Sequence, residues 1–422
     1  MLTTMKTKSI IFIYLTISKV VFAQLPEQGL LNRPLNLYLN CDNCYQDFMK
    51  SEIKFVNYVR NRQDADVDLL VTSQMAGGES MEYKLFFIGL KNFTLTNDTL
   101  RYFAKAGNME DDTRRELVQM IKLGLMRYIA HTIYAKDIQI GMDETSENEA
   151  LQNKTTDKWK SWIIEINGNA DINEEKSSLI QNYSGSIIAN KTTEKIKIDI
   201  GIRKEYSSNR YVSEQSTINS YNKSQSVYGQ LIKSLNTHWS YGLFGRMGSG
   251  TYSNQKFYTS AAPALEYNLF PYDQSQRKLL TISWFVPVGH YDYADTTIYG
   301  KIKENTLENK LNVSLSVTQP WGAVSLSVVG SHYLPDTYKN RFSVFGSASL
   351  RLFKGLYFNF FVGYQLVHDQ LSLPKEGASE QELLLHQREI ETSYLFNFNT
   401  GITYRFGSKF NNVVNPRINN GE

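Results

Sequence analysis

From residue 159 onward, apolar and polar side chains alternate with a period of two. Trp162, Ile164, Ile166, Gly168, Ala170 and Ile172 share one side, and Glu165, Asn167, Asn169, Asp171 and Asn173 the other. Ile196, Ile198, Ile200 and Ile202 oppose Lys195, Lys197, Asp199, Gly201 and Arg203. Near the end, Tyr394, Phe396, Phe398, Ile402, Tyr404 and Phe406 oppose Asn397, Asn399, Gly401, Thr403 and Arg405. A period of two gives a β-strand one apolar and one polar face. Twelve strands are predicted, near 160–173, 178–190, 193–205, 221–235, 238–250, 256–270, 277–289, 305–318, 322–333, 341–353, 355–369 and 391–407. The fourth carries Tyr228 and Ile232 on its polar side. Pro263 and Pro287 fall inside the sixth and seventh, where each forfeits a ladder bond or marks a bulge.

The first third of the chain reads differently. Leu35–Tyr38, Asp66–Ser73, Tyr83–Leu90 and Leu100–Lys105 suggest short strands, with a helix near Tyr45–Glu52. A longer helix is predicted over Asp112–Tyr134, where Leu117, Ile121, Leu125 and Tyr128 recur at helical spacing. Glu110, Asp111 and Asp112 stand at its start, where the helix dipole favours anions. The order β-α-β-β-β-α describes a small α+β domain within residues 24–136, followed by a polar linker over 137–158.

Strict alternation serves two architectures. A soluble sandwich turns the apolar faces inward; a transmembrane barrel turns them toward lipid. The strands are long enough to cross a bilayer, which takes about 9–11 tilted residues. Tight connections are expected at Lys191-Thr192, Asn236-Thr237, Pro271–Gln276, Gln319–Trp321 and Lys354, and longer ones at Tyr206–Ser220, His290–Glu304 and Gln370–Ile390. Short turns on one side and long loops on the other is the outer-membrane pattern, and an even strand count returns both ends to the periplasm. Trp159, Trp162, Trp239 and Trp321 fall at the short-turn side, as an interfacial aromatic girdle would, while Trp284 lies mid-strand. The expected fold is therefore mainly β: a twelve-stranded antiparallel transmembrane β-barrel over 159–407, preceded by the α+β domain and trailed by a tail over 408–422.

Composition sharpens this picture. Mean hydropathy is −0.38, which excludes a polytopic helical membrane protein but suits a barrel whose polar interior offsets its lipid face. The 27 Tyr, 22 Phe and 5 Trp then belong to outward faces and girdles. A net charge of +3 leaves no footprint for nucleic acid. Lys6 and Lys8 precede an apolar run from Ile10 to Leu15, and Val20-Val21-Phe22-Ala23 supplies a small-residue exit, so residues 1–23 read as a cleaved export signal. Cys41 and Cys44 form a C-x-x-C, open to a local disulfide, to redox chemistry, or to a metal that would need two further ligands.

Motifs for phosphate, dinucleotide, zinc or nucleophile chemistry are missing, so no cofactor and no enzymatic activity are expected. The alternative readings are an outer-membrane enzyme such as a lipid hydrolase and an envelope scaffold. For the enzyme only Ser331-His332 and His290 are candidates; adjacent strand residues point apart, and His368 and Asp369 read as loop-edge residues rather than a dyad. The predicted polar face carries Glu165, Asp171, Lys195, Lys197, Asp199, Arg203, Arg246, Glu266, Arg341, Arg351 and Arg405. These charges either pair across strands and fill the lumen, or line a narrow pore that prefers anions.

The signal, the twelve alternating segments and the closing strand together resemble a bacterial outer-membrane β-barrel. Tyr404-Arg405-Phe406 resembles the terminal signal read by the barrel-assembly machinery, with the departure that a tail follows it. The Ala23-Gln24 exit and the tail resemble proteins of Bacteroidota. Phe55–Arg60 and Asp64–Val67 resemble a group of barrel proteins that carry a periplasmic domain. The resemblance implies outer-membrane lipid and the assembly machinery as partners, with a periplasmic protein as a third. It implies no activity.

Overall fold

The computed structural model describes residues 31–41, 44–76, 80–104, 107–139, 159–212, 217–377, 389–415 and 417. The expected export signal and most of the expected linker lie outside the described residues.

The N-terminal unit contains β1 (Leu35–Asn40), α1 (Gln46–Glu52), β2 (Val56–Tyr58), β3 (Val67–Met75), β4 (Met81–Gly89), β5 (Asn97–Ala104) and α2 (Glu110–Ile129). Its sheet runs β2-β1-β3-β4-β5, with β1 parallel to both neighbours and the rest antiparallel. Leu35, Leu37, Leu69, Leu85, Phe87, Leu117, Ile121, Leu125 and Tyr128 are fully enclosed between sheet and helices. β2 was not expected, because three residues are too few to show a period. α2 ends at Ile129 rather than Tyr134. There Thr132 folds back, its hydroxyl donating to the Ile129 carbonyl at 2.9 Å, and the helix stops.

The second sheet contains β6 (Trp162–Glu175), β7 (Ser178–Thr192), β8 (Ile196–Val212), β9 (Thr217–Ser234), β10 (Trp239–Gly250), β11 (Gln255–Asn268), β12 (Lys278–Phe285), β13 (Val288–Tyr293), β14 (Lys303–Gln319), β15 (Gly322–Leu334), β16 (Asn340–Phe353), β17 (Leu356–Val367) and β18 (Tyr394–Tyr404). Neighbouring strands in the sheet are antiparallel. β12 and β13 share one position between β11 and β14, so thirteen strands occupy twelve places. The break falls at Pro287, which has no N–H to give. Val286 donates to the Pro263 carbonyl at 3.1 Å, so the two prolines flag one local defect.

One expectation about this sheet is corrected, and one is only partly met. The connection expected over Tyr206–Ser220 is taken up by β8 and β9, which stay paired from Ile196↔Lys233 to Val212↔Thr217. Alternation ends there because both faces are polar, yet the ladder continues because it needs only backbone groups. The large antiparallel sheet is as expected, but its closure into a barrel is not confirmed: among the described residues β6 and β18 are not paired. It is nonetheless strongly curled. The Asn254 side chain, in the β10–β11 turn, donates at 2.9 Å to both the Asp295 and the Ser372 carbonyls, the latter in the loop after β17. Ile298 donates to Leu373 at 2.8 Å, and Lys375 to Thr296 at 2.8 Å, which zips the β13–β14 and β17–β18 loops together over that end.

Burial in the two sheets is opposite in kind. All 22 residues of the main hydrophobic core lie between Leu35 and Ile129. Beyond residue 159 the described residues include four buried hydrophobics (Tyr293, Val367, Leu371, Leu373) against nine buried polar ones, among them Ser220, Ser240, Asn268, Thr281, Ser283 and Ser343. Ile166, Ile202, Leu243, Trp284, Leu311, Phe398 and Ile402 are meanwhile exposed. Tyr228, anomalous by pattern, fits this scheme: its ring lies over Gly201, where a Cβ would meet Tyr228 Cζ at 2.3 Å.

Candidate functional site

Strand register puts Glu165, Asp171, Lys197, Asp199, Arg203, Arg246, Glu266, Arg341 and Arg351 on the polar face. Lys195 is off it, in the turn before β8, and Arg405 follows the end of β18. Their pairing is local rather than cross-sheet. Lys197 meets Asp199 at 3.8 Å along one strand, and Asp199 also accepts from Gln230. Arg203 meets Glu205 at 3.8 Å. Arg246 lies over the Tyr258 ring and donates to Ser260 at 3.2 Å. Glu266 accepts from the Tyr272 and Ser283 hydroxyls at 2.8 and 2.7 Å. Arg341 grips Asp369 at 2.8 Å in the loop after β17.

Arg351 and Arg405 lead to an arrangement that pattern reading missed. The N-terminal unit docks against the short-turn end of the curled sheet. Thr72 donates to Gln276 at 2.8 Å, Gln276 donates to Glu82 at 2.8 Å, and Lys84 donates to the Asp273 carbonyl at 3.3 Å. The Arg277 guanidinium lies 5.1 Å over the Phe86 ring. On the far side Lys354 pairs with Asp64 at 2.9 Å. Burial opposes ionisation of Asp64, but the hydrogen bond and charge of Lys354, helped by Lys409, outweigh it and hold the carboxyl below its ordinary range.

The chain after β18 completes the junction. Arg60 donates its backbone N–H to the Lys409 carbonyl at 3.0 Å, and Asn411 donates to Tyr58 at 2.9 Å. The Tyr58 N–H donates to the Asn412 side chain at 2.6 Å. Residues 409–412 thus extend the small sheet at its β2 edge, an edge that would otherwise stand open.

Between the docked unit and the sheet lies a cavity of about 420 Å³, walled by Tyr38, Asn40, Lys50, Tyr58 and Arg60 on one side and by Ser349, Arg351, Tyr357, Asn359, Thr403 and Arg405 on the other. Arg351 is held between the Tyr38 and Tyr357 rings, 4.6 and 5.6 Å from their centres. It donates to the Pro320 carbonyl at 2.9 Å, to the Tyr38 hydroxyl, and to Asn40 at 3.5 Å. Arg405 also lies over the Tyr357 ring, at 5.3 Å. Burial raises the Tyr38 phenol above its usual range although Arg351 pulls the other way, so it stays a neutral hydroxyl. Asp68, fully buried near Tyr38, is bound by Arg62 at 2.6 Å; burial wins and raises its carboxyl.

The other candidates separate. Ser331 pairs with Lys310 and Arg341 on the polar face, and His332 points to the opposite one. His368 contacts Asn340 at 3.1 Å while its neighbour Asp369 serves Arg341, so the two make no dyad. His290 sits between Asn305 at 2.6 Å and Asp292 at 3.3 Å. That line orients an imidazole, but the group two residues along is a carboxylate already shared with Lys303, not a nucleophile. Cys41 and Cys44 are joined as a disulfide at the end of β1, their Cα atoms 6.0 Å apart. No group of three or more potential metal ligands occurs among the described residues.

No family model matches this chain. No curated protein matches it either. Among solved structures it is similar to the translocator domain of autotransporter NalP from Neisseria meningitidis, at 11% identity and a TM-score of 0.23, over 62% of this chain and 95% of that one.

Proposed function

We propose that the chain is a non-enzymatic integral outer-membrane β-barrel protein with its N-terminal unit in the periplasm. The reading rests on the inverted burial of the large sheet, with polar side chains enclosed and large apolar ones exposed along the strands. In water such a face is a liability far larger than the few hundred Å² a monomer usually shows; against lipid it is the required surface. Trp159, Trp239 and Trp321 stand exposed at the end where the turns are tight, which supports an interfacial belt there. The membrane closes the account only if β6 and β18 pair in it, since lipid leaves no water for free strand edges. Outer-membrane lipid and the barrel-assembly machinery are the partners this reading needs. The docked unit is the part available to a periplasmic protein.

Within this reading the task is passage of small solutes through a narrow lumen, or attachment within the envelope. The docked unit at one end and the zipped loops at the other favour a restricted path over an open channel. Outer-membrane fractionation with heat-modifiable gel migration tests the barrel. A protein that fractionates as soluble, with no shift on boiling, overturns it. Planar-bilayer conductance tests the lumen, and silence at every salt concentration leaves only the attachment role.

A further inference from the structure

We propose that the cavity between the N-terminal unit and the short-turn end of the sheet binds a small soluble molecule through an oxyanion, a carboxylate or a phosphate. Arg60, Arg351 and Arg405 reach it from three separate segments, with Lys50 from α1. Among the described residues no Asp or Glu lines it. Lys50 has an exposed carboxylate beside it, Asp47 at 3.6 Å, and the buried Asp68, bound by Arg62, lies within electrostatic range of Arg351. The Arg60 Nε and the Arg351 Nε are both shielded from solvent and have no acceptor among the described residues. Charged donors so placed are costly, and clustered guanidiniums repel one another; one oxyanion at their centre relieves both costs.

Docking alone does not account for the cluster. Arg351 spends its terminal nitrogens on Pro320, Tyr38 and Asn40, and so does hold the unit in place. Arg60 is tied to the tail through its backbone, which leaves its side chain unexplained. The Arg405 guanidinium lies over the Tyr357 ring, while its backbone N–H donates to the Gly355 carbonyl at 2.7 Å. The Tyr38, Tyr58 and Tyr357 rings and the Asn40 and Asn359 amides supply flat and polar surfaces for the rest of a ligand, and about 420 Å³ lies in the range of small-molecule sites. Ser349, Asn359 and Thr403 belong to the polar face of the sheet, away from the exposed apolar one. A free solute therefore fits better than a lipid headgroup, whose acyl chains would lie on the other face.

The test is calorimetric titration of the full-length protein, in a neutral detergent at low salt, with inorganic phosphate and separately with citrate. Saturable binding of one of them at micromolar to millimolar levels is expected, weakened by about tenfold or more in Arg60→Gln and in Arg405→Gln. Arg203→Gln, on β8 and outside the cavity, serves as the control and should bind as the parent does. A circular-dichroism melt of each variant separates lost binding from lost folding. Arg351→Gln is uninformative alone because it also removes docking contacts. Vesicles with and without phosphatidylglycerol form a second arm. Binding to anionic vesicles with no response to phosphate or citrate overturns the proposal, and so does binding that survives both substitutions. The cavity stands whether or not the sheet lies in a membrane, so a soluble protein that binds phosphate would refute the barrel and not this site.

Discussion

Gly124 sets how closely α2 lies on its sheet. A Cβ there would meet Phe87 Cζ at 2.1 Å, and Phe87 is completely enclosed and has no room to yield. In an exposed helix Gly→Ala gains about 1 kcal/mol. Here over-packing costs about 1–3 kcal/mol and wins. Gly124→Ala is expected to lower the melting temperature of the N-terminal unit, followed by protease sensitivity of the full chain; a rise would contradict this packing. The same logic joins Gly201 to Tyr228, and it shows where residue-scale reading fails. Tyr228 broke the alternation because pattern carries polarity and not space, and the missing side chain that accommodates it is 27 residues away.

At the scale of elements, the large strands were legible because a period of two is local information. The twelve predicted segments correspond to the twelve positions of the sheet, and the Pro287 break falls where a proline must leave a gap. Pairing beyond the alternating stretch was not legible, as β8 and β9 show. The two faces of one strand make a sharp test of the membrane reading. Leu311 is exposed at the middle of β14, and Ser314 lies on its polar face beside Ser327. In lipid, Leu311→Arg is expected to cost about 2–4 kcal/mol while Ser314→Arg costs little. Urea unfolding in vesicles measures both; equal penalties would remove the distinction on which the barrel rests. The tail offers a second test. Asn411→Pro deletes the N–H that Tyr58 accepts, so the β2 edge should open and trypsin should release the N-terminal unit sooner.

For the whole molecule, the junction was invisible in sequence because every contact in it spans long stretches of chain: Thr72 with Gln276, Tyr38 with Arg351, Asn57 with Asn412. The candidate charges were legible as a set, but which of them meet was not. Arg60 escaped notice as a site residue because it lies in the other unit. Docking should depend on acidity in a defined direction. The Asp64 carboxyl is held below its ordinary value in the docked state. Its contribution is therefore full above the ordinary Asp pKa of about 3.9 and is lost as pH falls through the lower, docked value. Cross-linking between Asp64 and Lys354 regions should hold steady from neutral pH down to about 5 and decline only in stronger acid. Lys354→Gln should abolish that acid-dependent part. If the docked unit restricts the lumen, the Lys354→Gln, Asn411→Pro double variant should conduct more than the parent in planar bilayers.

Residues 409–412 are fastened to Tyr58 and Arg60 across most of the chain, with 354 positions between Tyr58 and Asn412. Synthesis delivers the chain in one direction, so the N-terminal unit emerges before the segment that fastens it. It cannot be fastened until the last strand and the residues beyond it have arrived. A chain lacking residues 409–412 would therefore carry an N-terminal unit whose β2 edge stands open, an edge that another strand could pair with.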